Sequence, residues 1–363
     1  MNAGRHEGGG TGAQACSAEV HENAIPAFVP AELERLYGNI FSSILAEHVQ
    51  EADTSTYVAW TEGVVEAILL FKMHKRRIHV LNAAVRIAPE HVRRFAAFIF
   101  AHYPAVQAIG MLSVTSGVLD AAFPCQRFRI SEDYVLSLPP TEEAYRAGLG
   151  KSTASGLRTK QRRLKRDMPA AVFRILEGAD VDENTIEAIF SLKNAVRHGR
   201  GRLDDAQQAW LRQVVRTHGF VGVTTIDGRV CAATVSTRIG SHLFLHVLAH
   251  DRAFDSYSPG MLNAYLCVCA GIRQGATEFH FLWGNGVWKK RLGAAERQLE
   301  NIFVYRSRKA CLACAGMVLG NLVSAHWRRL RLGLLAASGS DGRYAPLVRH
   351  CLNGWYRFKG ALA

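Results

Sequence analysis

The period of the hydrophobic positions changes several times along the chain, and the changes divide it into elements. Residues 31–50 (AELERLYGNIFSSILAEHVQ) place Leu33, Leu36, Ile40, Ile44 and Leu45 on one helical stripe. Residues 64–71 and 77–85 are β-rich runs around the basic turn Lys72–Arg76. A helix over 89–102 opens on Pro89, and 106–114 predicts another strand. That order, helix–strand–strand–helix–strand, is a small α/β layer. Residues 139–150 are punctuation followed by a short helix, which sets an expected boundary near residue 140. Beyond it, 171–177 predicts a strand, and 184–198 and 205–218 predict two helices. Residues 220–250 predict an antiparallel meander, with turns at Asp227-Gly228 and Gly240-Ser241. A helix over 259–274 and a strand over 278–284 complete an α+β domain with a mostly antiparallel sheet.

Composition adds limits to this pattern. With 48% hydrophobic and 21% charged residues over 363, the chain is ordinary globular protein with enough length for about two cores. No apolar run is long enough to span a membrane. Residues 1–28 lack the apolar block of a signal peptide and read as a disordered leader, so a cytoplasmic location is expected. Cys311 and Cys314 form a lone CxxC in an apolar stretch, which reads as core packing, and no metal site is assigned. The tail from 310 onward reads as an apolar helix ending in basic residues, suited to core packing or to peripheral contact with a membrane.

Charge is uneven. Residues 1–150 carry 12 Lys/Arg against 16 Asp/Glu, whereas 151–363 carry 32 against 15, so the basic balance lies wholly in the second part. Such a part calls for a polyanionic partner: a phosphorylated cofactor, a nucleic acid or an anionic membrane. The densest cluster is LRTKQRRLKR (157–166), which reads equally as a solvated helical face or as a phosphate contact.

Candidate chemistry gathers in two short segments. In DSYSPG (255–260), Ser258 suits a helix N-cap, Pro259 the first helical position, and Gly260 a close backbone approach. A capped helix N-terminus of this kind can receive a pyrophosphate, or can simply be a capped helix. In LWGNGVWKKRLG (282–293), Gly284 and Gly286 allow a tight bend, and Lys289 or Lys290 supplies positive charge. Candidate general bases are His246, His250, Asp255, Glu278 and His280, with His280 and Asp255 preferred. Strand alternation puts His242, His246 and His250 on one face, and Glu278 and His280 on one face.

Together, LPPTEEAYRAGLGKSTASGLRTKQRRLKR, DSYSPGMLNAY and EFHFLWGNGVWKK resemble the CelD-like, cellulose-biosynthesis-associated acyltransferases of the GNAT superfamily, over residues 130–308. The resemblance implies a GNAT-like, mostly antiparallel sheet flanked by helices over 141–309. It also implies a layer over 29–140 that is a degenerate second copy, as in the related Fem-type aminoacyltransferases. It implies an acetyl-CoA or longer acyl-CoA co-substrate, with Ser258, Pro259, Gly260 and Lys289 binding it, and an amine or hydroxyl acceptor such as a glycan precursor. His280 stands where that family usually has Asp. Two alternatives remain: a Fem-type enzyme using aminoacyl-tRNA, and a non-catalytic partner of a polysaccharide synthase.

Overall fold

The computed structural model describes residues 16–39, 41, 53–119, 122–195, 202–284 and 286–316, with scattered positions to 326. Its first half contains β1 (Cys16–His21), α1 (Val29–Tyr37), β2 (Ser55–Thr61), β3 (Val64–His74), β4 (Arg77–Val80), α2 (Pro89–His102), β5 (Ala108–Val114) and β6 (Cys125–Ser137). The second contains α3 (Glu142–Gly148), α4 (Lys151–Asp167), β7 (Val172–Glu177), α5 (Glu183–Asn194), α6 (Asp205–His218), β8 (Gly219–Ile226), β9 (Arg229–Ile239) and β10 (His242–His250). It continues with α7 (Pro259–Arg273), β11 (Glu278–His280), α8 (Val287–Arg291), β12 (Ala295–Tyr305) and α9 (Arg308–Ala313).

All twelve strands form one sheet, ordered β1-β2-β3-β4-β5-β12-β6-β11-β10-β9-β8-β7. Each half repeats the same plan. Four antiparallel strands lead into a helix that crosses over to a parallel fifth strand: β4–α2–β5 in the first half, β10–α7–β11 in the second. The sixth strands are exchanged. β6 pairs with β11, β12 pairs with β5, and the two pair with each other at the centre. The expected α+β class, a mostly antiparallel sheet in two tandem layers, is the observed one. Hydrogen bonding crosses residue 140 in both directions.

Helices cover both faces. In the first half, α2 buries Val92, Phe95 and Ile99 against Tyr57, Phe71 and Ile109, while α1 buries Val29 and Leu33 on Val58, Ile68 and Leu70. In the second half, α3, α4 and α7 lie on one face, and α5 and α6 on the other. No helix among the described residues is long and apolar enough to cross a membrane.

Several sequence expectations need correction. Residues 16–21 are not leader but a strand, because six residues of the segment pair with β2 from Cys16↔Thr61 to His21↔Thr56. Residues 1–15 and half of the helix expected at 31–50, residue 40 and residues 42–50, lie outside the described residues. Strands β2, β6 and β12 were not expected at all. The strand expected over 278–284 ends at His280, because Leu282 and Gly284 take positive φ and turn the chain away. In the tail, Ala310 and Cys314 pack against Phe128, Phe303 and Tyr305, whereas Leu312, Leu319 and Leu322 are exposed.

Candidate active site

The site begins where two parallel strands part. β10 and β11 pair only over His242↔Glu278, Leu243↔Phe279 and Phe244↔His280. Beyond that point β11 stops, while β10 runs on to His250 paired with β9 alone. Among the described residues, the edge of β10 past Phe244 therefore has backbone groups with no strand partner on that side. A cavity of about 370 Å³ opens against this edge, lined by Lys193, Leu245, His246, Phe281, Trp283 and Lys289 among others.

A β-bulge between Leu245 and Val247 shapes that edge. The extra residue reverses the alternation of the strand. Leu243 and Leu245 face the α7 side, but Val247 and Ala249 face α5 and α6. The three histidines consequently do not share a face. His242 lies on the α6 side, His246 sits at the bulge, and His250 stands against α7. Burial holds His246 down at a pKa of about 4, so it is a neutral imidazole at physiological pH, with Nε2 at 2.9 Å from the Thr237 hydroxyl.

The second feature is the N-terminus of α7. Ser258 takes a left-handed conformation (φ 50°) and its hydroxyl makes no capping bond, contrary to the N-cap role expected of it. Pro259 is the first helical residue as expected. A cavity of about 440 Å³ lies here, lined by Ser152, Thr153, Gly156, Lys160, Ser258 and Arg291. Lys160 comes from the basic helix α4, and its Nζ donates to Ser256 O at 2.9 Å. Free helical N–H groups, a helix dipole and two cations thus face one space, an arrangement that attracts phosphate. Gly260 serves a different neighbour from the one expected: a Cβ there would stand 2.9 Å from His250 Nδ1. Asp255 accepts from His250 Nε2 at 3.0 Å beside it, and more than half of its side chain is exposed.

Lys289 belongs to the first cavity rather than the second. It is 3% exposed, donates to Leu282 O (2.8 Å) and Trp283 O (2.7 Å), and stands over the Tyr134 ring. Burial lowers its pKa to about 8. Its bonds fasten the turn that carries the chain away from β10. Gly286 completes the turn, since a Cβ there would fall 2.2 Å from the Tyr134 ring.

His280 lies on the sheet face opposite α7, 5% exposed and stacked on Phe244. Its Nδ1 donates to Asp133 Oδ2 at 2.7 Å. Burial works to lower its pKa, but the Asp133 and Glu278 carboxylates outweigh burial and raise it. His280 does not line the cavity beside β10, and its contacts do not include Asp255, which sits near His250 by α7. Sequence reading missed Asp133, Lys160, Arg291 and Lys193. Lys160 had a signal in its place in the basic cluster, and Arg291 in its place in the 282–293 segment.

Comparison with known proteins agrees with this geometry. No curated protein matches the chain in sequence. Among solved structures, FemX is 12% identical and aligns over 68% of this chain and 87% of its own, with a TM-score of 0.51, a likeness of fold. L-PGS from Bacillus licheniformis is 14% identical over 84% of this chain and 98% of its own, with a TM-score of 0.47. A tandem GNAT protein from the clavulanic acid biosynthesis pathway is 13% identical over 69% and 82%, with a TM-score of 0.39. Residues 151–290 match the family described as acetyltransferase (GNAT) domain. The parted strands and the helix N-terminus lie within the residues that match this acetyltransferase family, and the match marks the protein as an acyltransferase.

Proposed function

We propose that this domain transfers an acetyl or longer acyl group from acyl-CoA to an amine or hydroxyl acceptor, in envelope, exopolysaccharide or natural-product chemistry of the CelD-like kind. The observation that carries the reading is the unpaired edge of β10, which runs from the cavity beside Lys289 toward the N-terminus of α7. Pantetheine amides can hydrogen-bond to that edge as an added strand would. Pro259, Gly260, Lys160 and Arg291 would meet the pyrophosphate. A backbone N–H at the bulge would polarise the thioester carbonyl as the acceptor attacks, and the C–S bond then breaks. The Lys289 ammonium, with two of its three hydrogens held by carbonyls, can give its proton to the departing thiolate. His246, neutral and lining the cavity, is placed to receive the acceptor's proton. His280 and Asp255, the bases preferred from sequence, stand outside this lining, and we propose for Asp255 only that it orients His250.

Calorimetry with acetyl-CoA tests the reading. Lys160→Glu and Arg291→Glu each remove a charge-assisted contact worth about 1.5–3 kcal/mol, and roughly ten- to hundredfold weaker binding is expected. Folded variants that bind acetyl-CoA like the wild type would overturn the assignment. A second reading, aminoacyl transfer from tRNA, draws on the exposed Arg158, Arg162, Arg163, Lys165 and Arg166 of α4. It requires tRNA binding that falls steeply with salt and flattens in Arg162→Ala.

A further inference from the structure

We infer that His242, Glu278 and His280 form a binding site for a divalent cation of the zinc type, at the seam between the two halves of the sheet. One nitrogen of each imidazole and one Glu278 oxygen lie within 4.8 Å of one another. The three residues occupy adjacent positions on paired parallel strands, with His242 opposite Glu278, and His280 two residues further along the same face. Strands fix these side chains more firmly than loops would.

Each ligand has an outer partner that orients it. His242 Nδ1 donates to Gly38 O at 2.9 Å, which leaves its Nε2 free with a lone pair. His280 Nδ1 donates to Asp133 Oδ2 at 2.7 Å, which frees its Nε2 in the same way. Glu278 is gripped by Arg297, with Nη2 at 2.9 Å from Oε1 and Nη1 at 3.3 Å from Oε2. A backbone carbonyl on one histidine, a carboxylate on the other and a guanidinium on the carboxylate make the outer shell that metal-bound residues have.

A second observation points into the cluster. His280 is about nineteen-twentieths buried, and its Nε2 has no hydrogen-bond partner among the described residues. Glu278 Oε2 is only 3.0 Å away, but out of line with the ring N–H, so proximity does not become a hydrogen bond. Both residues also lie with His242 in the cluster whose ligand atoms are within 4.8 Å of one another. Two histidines and one glutamate, with a fourth position left open, are a zinc donor set. Bond lengths of about 2.0–2.1 Å put tetrahedral ligand atoms about 3.4 Å apart, so closure needs side-chain shifts of about 1 Å. A bound ion needs both imidazole nitrogens unprotonated, so binding releases any proton held there. Because Asp133 and Gly38 come from the first half of the chain, an ion here also ties that half to β10 and β11.

The test uses the full chain, freed of metal with a chelator and titrated with Co²⁺ and then Zn²⁺. One equivalent of Co²⁺ should bind with the visible ligand-field bands of a four-coordinate nitrogen and oxygen site. Zn²⁺ should displace it and raise the melting temperature. His242→Gln and the near-isosteric Glu278→Gln should each abolish one-equivalent uptake, and Asp133→Asn should weaken it about tenfold. Wild type that takes up no Co²⁺ at one equivalent overturns the proposal. So do ligand variants that bind like the wild type, or the near-ultraviolet thiolate band that Cys311 and Cys314 would give. Acetyl-CoA binding is measured separately, so this result stands apart from the acyl-transfer reading.

Discussion

Lys289 fastens the turn after β11 and is also the residue proposed to protonate the leaving thiolate. Its ammonium replaces water with two carbonyls and an aromatic face, and desolvation brings its pKa to about 8. In the unfolded chain a lysine titrates near 10.4. Between pH 8 and about 10 the unfolded state therefore binds more protons than the folded one, and stability from this residue rises with pH. The penalty of a buried charge is present below pH 8 and is relieved above it. Relative to Lys289→Met, the wild type should gain melting temperature as pH goes from 8 to 10. Parallel profiles for the two proteins would show that Lys289 does not titrate there.

Among the elements, α7 carries at its N-terminus the end proposed to meet the pyrophosphate. Its register on the sheet is held by a polar pin in an apolar layer. Asn263 is fully buried and accepts from the Thr234 hydroxyl at 2.5 Å, while its amide donates to the Thr224 hydroxyl at 2.9 Å. Asn263→Leu would leave both hydroxyls buried without partners, at a cost of about 1–3 kcal/mol. Urea unfolding should show that loss, and acetyl-CoA affinity should fall with it as the helix N-terminus loses its position. An unchanged midpoint would mean that apolar packing alone sets the register.

On the scale of the whole molecule, the exchange of β6 and β12 makes the halves depend on each other. A chain of residues 141–309 would lack β6, leaving β11 without its antiparallel neighbour, His280 without Asp133, and β12 without either strand that flanks it. Exposed strand edges of that kind recruit other chains. On size exclusion that fragment should run as oligomer or aggregate. A monomer that unfolds cooperatively would contradict the account.

What the sequence determined by itself was local. The helices over 89–102, 205–218 and 259–273 and the meander 220–250 were legible because period, caps and turn residues agree within short windows. The basic cluster and the SPG turn were legible for the same reason. Strand β12 was not, since AERQLEN is polar and its strand form depends on β5 and β6 on either side. The bulge at His246 was not either, and it reversed the face expected for His250. Lys289 read as a cofactor-binding charge beside a glycine bend, and its burial on two carbonyls exists only once the turn is folded. The pairing of Asp133 with His280, 147 residues apart, likewise exists only once β6 lies beside β11. Short-range chemistry is written in adjacent residues, whereas the facing of a buried side chain is set by the strand that comes to lie next to it.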